Sequence, residues 1–389
     1  MKIKTFLALL VILVFTPVNN LKNNIRFAPA NAITKVNQSP VGRIIEADGK
    51  VFLKRHNWSE YYPAFVGTEL YASDKIQLTS QANLIAICYA NWKTWSLPKN
   101  SISKTMDGCL KAKSQCVETP DGCVPLDTTR GLNQVVIADN IPYLISPRHT
   151  LLLPDKPLML HWNPVVGVTR YTVIIKSPSE YIWETEVSEN KVLYSGKIPL
   201  KTGVRYTAII HANTEVSSLD EKSPFSKQDY LGIGFALISQ YQQQEILAKS
   251  KELTQKLDDE ARVLSIAKFY QKQGLNMEAI AILESFIESG NYTPAIYQVL
   301  GEIYQHIQLP RIAKNYYLKS AKLTAVDNIA GTAKIEAALG EVYATLGSHE
   351  EAIHWLTLAF NRYEKLGEFQ RGNELKLSLE KLKQQLVEE

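Results

Sequence analysis

The sequence predicts a multidomain β + α chain, with two β modules followed by an α-helical solenoid. Three observations carry this. Short apolar runs broken by Gly, Asn, Ser or Pro fill residues 39–125 and again 141–231. After Gly234 the composition turns to Gln, Glu, Lys and Leu, with neither Pro nor Gly over 240–257. Beyond residue 260 one pattern of small residue, Tyr and Ala recurs three times. Closely spaced short runs with turn residues between them read as strands, and the later stretches as helices.

The N-terminus comes first. Lys2 and Lys4 precede an apolar run over 6–15, and small-residue cleavage candidates follow at Ala28-Pro29-Ala30 and Ala30-Asn31-Ala32. This is the layout of a secretory signal peptide over 1–32, so a periplasmic or extracellular location is expected. The run is short of the ~20 apolar residues that a membrane span needs, and no transmembrane span is expected in the mature chain. Four of the 43 basic residues and none of the 39 acidic ones lie in 1–32, leaving 39 of each. A neutral chain lacks the basic footprint that phosphate backbones require, so nucleic acid is not an expected partner.

In residues 39–125, Val41, Ile44 and Ile45 lead through a turn at Asp48-Gly49 into Val51-Phe52-Leu53, and further runs follow at 74–78 and 84–88. A small β barrel or sandwich fits this spacing. The segments Val66-Gly67-Thr68-Glu69-Leu70, Ser73-Asp74-Lys75-Ile76-Gln77-Leu78-Thr79 and Leu97-Pro98-Lys99-Asn100-Ser101 resemble the FecR-type domain of bacterial exported and sensor proteins. Ser73 and Asn91-Trp92 depart from that pattern, which more often has Gly and Asp-Gly there. The resemblance implies a compact β fold on the outer side of the membrane.

All four cysteines, Cys88, Cys109, Cys116 and Cys123, lie in or just after this module. An even count in an exported chain favours disulfides, and four thiols allow three connectivities. The favoured pairs are Cys88–Cys109, closing a strand on the returning segment, and Cys116–Cys123, closing the turn at Thr119-Pro120-Asp121-Gly122. Zinc is the alternative, but the spacings are not C-x₂-C, and no His lies nearby in sequence; no metal is expected.

In residues 141–231, Leu158-Met159-Leu160-His161-Trp162, Tyr171-Thr172-Val173-Ile174-Ile175 and Ala208-Ile209-Ile210 read as strands. The Trp162 strand, the Tyr-x-Val strand and the Leu200-x-x-Gly203-x-x-Tyr206 corner together resemble a fibronectin type III or immunoglobulin-like sandwich. The resemblance implies that Trp162 and Tyr171 are core and that Tyr206 caps a corner through its hydroxyl. Such sandwiches host many functions and select none.

Residues 235–389 begin with a linker helix over 240–257. The repeated pattern reads Ala267/Tyr270/Ala279, Gly301/Tyr304/Ala313 and Gly340/Tyr343/Ala352, with starts 34 and 39 residues apart. It resembles the tetratricopeptide repeat, which implies three helix pairs, 261–289, 295–324 and 332–365, turning at Gly274, Pro310 and Gly347. Leu375, Leu379, Leu382 and Leu386 then give a capping helix. Small residues let paired helices approach and Tyr fills the adjoining gap, so these are packing positions.

The family binds its ligands in the concave groove along the first helix of each pair. The residues expected to face it are Lys268, Gln271, Lys272, Glu302, Gln305, His306, Glu341 and Thr345. They form a mixed polar surface without the two-Lys, two-Asn set that captures a C-terminal carboxylate, and three repeats suit a peptide or a protein loop. The pair His349 and His354 in His349-Glu350-Glu351-Ala352-Ile353-His354 is five residues apart, which turns the second ring ~140° beyond a full turn. No phosphate-cradling Gly loop, G-x-S-x-G elbow or spaced Asp cluster appears. No catalytic residue and no cofactor is expected. The sequence therefore points to an exported, non-enzymatic adaptor or scaffold that binds a protein or peptide of the cell envelope through its repeats. The alternative is a cell-wall or polysaccharide-binding protein, in which β-domain aromatics such as Trp92 and Trp95 stack on sugar rings.

Overall fold

The computed structural model describes residues 39–110, 140–221, 231–253, 255 and 257–387, together with the backbone of 116–119, 122–125 and 388. The leader at 1–32 and the side chains of Cys116 and Cys123 lie outside the described residues.

The first module contains β1 (Gly42–Asp48), β2 (Val51–Lys54), β3 (Tyr62–Pro63), β4 (Glu69–Leu70), β5 (Lys75–Leu78), β6 (Asn83–Cys88), β7 (Lys93–Ser96) and β8 (Ile102–Lys104). They form two four-stranded sheets, β4-β1-β6-β7 and β3-β2-β5-β8, rather than a closed barrel. Alternation sends Val51, Leu53, Ile76, Leu78, Leu84 and Ala86 into a shared core, where Ile44 and Leu70 join them. Gly49, at φ 72°, makes the turn that carries the chain from one sheet to the other. Cys88 and Cys109 are disulfide-bonded against Val41. A separate hairpin, β9 (Cys116–Thr119) and β10 (Gly122–Pro125), follows.

Strand β1 is buried on both faces. Ile44 points into the module's own core, while Arg43 and Ile45 face the other way and are also buried. A register irregularity between Ile44 and Glu46 in the pairing with β6 accompanies this. Ile45 and Ile87 belong to the core cluster of the helical array. The outer face of the first sheet is thus an interface.

The middle module contains β11 (Leu144–Ser146), β12 (Thr150–Leu152), β13 (Met159–Trp162), β14 (Tyr171–Lys176), β15 (Tyr181–Val187), β16 (Lys191–Leu193), β17 (Arg205–Ala212) and β18 (Phe235–Leu237). Sheets β11-β13-β16 and β12-β18-β17-β14-β15 enclose a core around Trp162, whose ring meets Tyr171 edge-on at 5.4 Å. The Tyr206 hydroxyl accepts from the Lys201 amide at 2.8 Å, fixing the corner before β17. The composition change at Gly234 precedes the last strand of this module rather than following it, because β18 returns to pair with β12 and β17.

The helices are α1 (Gln240–Leu253), α2 (Asp259–Lys272), α3 (Asn276–Glu288), α4 (Pro294–His306), α5 (Pro310–Leu323), α6 (Ile329–Thr345), α7 (His349–Leu366) and α8 (Phe369–Glu388). Asp258, Thr293 and Asn328 cap the first helix of each pair through side-chain oxygens. Gly274 and Gly347 break the pairs at φ 76° and 75°, and Pro310 opens α5. The pairs α2/α3, α4/α5 and α6/α7 stack as a tetratricopeptide-like solenoid, and α8 covers α7 through Leu375, Leu379 and Leu382. None of the described helices is long and apolar enough to cross a membrane.

Candidate functional site

The first helices of the pairs, α2, α4 and α6, all present side chains to the first β module. Arg43 on β1, 1% exposed, donates to Glu302 on α4 at 2.8 Å and to Glu69 on β4 at 3.1 Å. Lys334 on α6 bonds the same two carboxylates at 2.7 Å (Glu302) and 2.8 Å (Glu69). Gln298 adds a 2.8 Å donation to Glu302. Beside this cluster Lys268 on α2 donates to Gln271 at 2.9 Å, with its ammonium 5.7 Å from the Tyr89 ring centre. Trp92 meets Phe269 edge-on at 5.1 Å. The Gly67 loop approaches α4 so closely that a Cβ there would lie 2.9 Å from that of Ala295.

Of the eight residues expected to line a groove, none is fully exposed. Lys268 and Glu302 lie in the electrostatic neighbourhood of Arg43, and Gln271 bonds Lys268. Gln305 accepts from the Tyr317 hydroxyl at 2.7 Å and donates to Glu341, which takes Arg371 at 2.6 Å. The His306 ring sits edge-on to His149 at 5.4 Å. Thr345 donates to the Glu341 carbonyl of its own helix, and Lys272 is half-buried at the end of α2.

The charges tune one another. Burial alone would raise the Glu302 pKa, but Arg43, Lys334 and Lys268 outweigh it and hold the carboxyl well below its ordinary range. Glu69 falls to about 2: burial and Glu302 push it up, while Lys334 and Arg43 push it further down. Lys268 falls to about 8 because burial and the neighbouring Arg43 exceed the help from Glu69 and Glu302. The cluster holds its two carboxylates ionised at neutral pH and presses on the lysine beside them.

A second seat lies at the turn from α7 to α8. Arg55 and the Trp58 indole N–H each donate to Glu368 at 2.8 Å, and the Tyr62 hydroxyl donates to the Lys365 carbonyl at 3.0 Å. The middle module docks differently. Arg148 is fully buried in a bidentate pair with Glu221 (2.5 and 3.0 Å) and donates to the backbone carbonyl of Ile307 at 2.8 Å. The Leu151 amide donates to the Gly274 carbonyl at 2.8 Å, and the Asn276 amide to the His149 carbonyl at 2.6 Å.

Arg43, Glu69, Lys334 and Arg148 are absent from the sequence-based set. Arg43 carried one signal: it sits in a strand whose neighbours Ile44 and Ile45 are consecutive apolar residues, a sign of burial on both faces. The sugar-stacking expectation for Trp92 is corrected by its 6% exposure between Tyr89 and Phe269; Trp95 is half-buried, with its ring against Gly108. His349 is buried and His354 exposed, as their angular separation requires. Among the described residues no group of His, Cys, Asp or Glu is arranged to hold a metal.

No protein family matches the chain, and no curated protein matches it. Among solved structures, the type III secretion translocator chaperone SycD of Yersinia enterocolitica is 19% identical over 36% of this chain and 94% of its own, with TM-score 0.30. MamA is 19% identical over 38% of this chain and 84% of its own, with TM-score 0.27. YrrB, described as a tetratricopeptide protein with an unusual peptide-binding site, is 15% identical over 36% and 78%, with TM-score 0.26. At these values the class of the array rests on its own helix pairing.

Proposed function

We propose that this chain is an exported, non-enzymatic scaffold of the cell envelope that binds a protein or peptide along the first helices of its C-terminal repeats. One observation carries the reading: that face already holds polypeptide, since β1 lies against α2 and seats Arg43 on Glu302 of α4. Lys268, Gln271, Lys272, Glu302, Gln305, His306, Glu341 and Thr345 supply donors and acceptors on packed helices, which suits recognition of an extended segment. In this reading the first module is FecR-like, the middle one is fibronectin type III-like, and the leader directs the chain to the periplasm or beyond. The two-sheet core around Trp162 and the Tyr206 corner support the second of these.

A photo-crosslinking residue at Gln305 in living cells tests the function, with Leu377, 68% exposed on the outer face of α8, as the control position. The expected result is an intermolecular adduct with one envelope protein from position 305 only. Equal capture at both positions, or none at either, removes the reading.

A further inference from the structure

We propose that the recognition face is gated: the first β module is its resident ligand and undocks as a unit, while the middle module and the array stay folded, to admit a partner. This deepens the function proposed above and rests on it.

Arg43 and Glu69 belong to the first module, Glu302 and Lys334 to the array, so each side contributes one cation and one anion. Each side is also paired internally, Arg43 with Glu69 at 3.1 Å and Lys334 with Glu302 at 2.7 Å. The contacts between the sides are Arg43 to Glu302 and Lys334 to Glu69, both 2.8 Å. Breaking a buried ion pair is costly mainly because it leaves a charge without a partner. Undocking here leaves none: both internal pairs persist and only the cross-pairs are lost. The second seat follows the rule on the module's side only: Arg55 keeps Asp74, 3.8 Å away, while Glu368, 18% exposed at the turn from α7 to α8, exchanges Arg55 for water.

The two β modules differ in how they hold the array. Among the described residues, no backbone–backbone hydrogen bond joins the first module to it. The middle module instead occupies array carbonyls, at Gly274 through the Leu151 amide and at Ile307 through Arg148. Undocking it would strand the carbonyls of buried Gly274 and Ile307 without a hydrogen-bond partner, which is costly. The first module meets the array through side chains, and the array backbone groups it releases, the Lys365 carbonyl bonded by Tyr62 and the Asp258 amide bonded by Glu46, belong to exposed residues where water replaces the lost partner. The module's apolar contacts, Ile45, Ile87 and Trp92 on one side and, on the other, the core cluster that it shares with Leu356, Tyr363 and Leu366 of the array, keep the closed state favoured until a partner covers the surface they vacate. The occupant they imply is an extended segment resembling β1, apolar with one basic residue placed to meet Glu302.

The test uses the full chain. Arg43→Glu combined with Glu69→Lys keeps the pair inside the module but opposes like charges across the interface. Lys268 is then labelled with an amine reagent, relative to exposed Lys319 of α5, while hydrogen exchange follows α3, α5 and β14. The proposal expects Lys268 labelling to rise about a hundredfold, since like-charge contacts cost several kcal/mol and each 1.4 kcal/mol is tenfold. Protection of α3, α5 and β14 should be unchanged, and adding Glu302→Lys with Lys334→Glu should return labelling to the parental rate. If protection is lost everywhere together, or labelling does not move, the first module is an inseparable part of one body and the gate is wrong. An opened variant that still gives no intermolecular adduct from position 305 removes the proposed function and leaves the gate standing.

Discussion

At the scale of single residues, Arg43 decides how the face formed by α2, α4 and α6 behaves. Replacing it by Ala orphans one charge of a buried cluster, so Arg43→Ala should lower stability by about 3–5 kcal/mol, read from urea unfolding. The pH response follows from groups pushed in opposite directions. Glu69, held down to about 2, and Glu302 contribute stability that is present above the ordinary carboxylate range and is lost as pH falls toward 2. Asp74 is raised to about 6 by burial, against the opposing pull of Arg55. Its folded form binds the proton more tightly than the unfolded chain, so its cost is present above pH 6 and fades as pH drops toward 4. Asp74→Asn should therefore flatten the rise in urea midpoint between pH 6 and 4 while leaving the acid collapse below it. Lys268, lowered to about 8, adds stability as pH climbs from 8 toward the ordinary lysine value.

At the scale of elements, the repeats show why some of the fold is legible in one sequence. Helix pairing is written locally: Ala267, Gly301 and Gly340 recur where two helices touch. A Cβ at Gly301 would meet the Tyr317 ring at 2.7 Å, and one at Gly340 would meet Leu356 at 2.5 Å. Gly340→Ala should cost about 1–3 kcal/mol by overpacking, measured by chemical denaturation, with helical content retained. Strands β13, β14 and β17 were legible for the same reason, through β-branched runs and Trp162. Strands β3 and β4 were not, since each pairs through only two residues and has no periodicity to read. The site was half legible. Repeat geometry places Lys268 and Glu302 on one face, but the partner of Glu302 lies 259 residues away in a strand of another module. No spacing rule spans that distance; only the double burial of β1 hinted that something covers its outer face.

At the scale of the whole molecule, the two β modules are attached differently: the first through side chains that reach array side chains and an exposed helix end, the middle one through hydrogen bonds to the carbonyls of buried Gly274 and Ile307. The Cys88–Cys109 disulfide ties the end of β6 to the segment after β8, beside Val41 at the start of β1. Reducing it should lower stability by about 2–4 kcal/mol, and the loss should appear in hydrogen exchange of β1 and β6 before that of β14 and β17. Both attachments also converge on one helix. Arg43 reaches Glu302 within α4, and Arg148 reaches the Ile307 carbonyl at the C-terminal cap of that helix. Here the second repeat cannot move without breaking both anchors, and the turn from α7 to α8 holds Arg55, Trp58 and Tyr62, so a repeat added between α3 and α4 or after α7 would pull the first module off one of its seats. The number of repeats is therefore set by the reach of the first module, which clasps the array at two separate places.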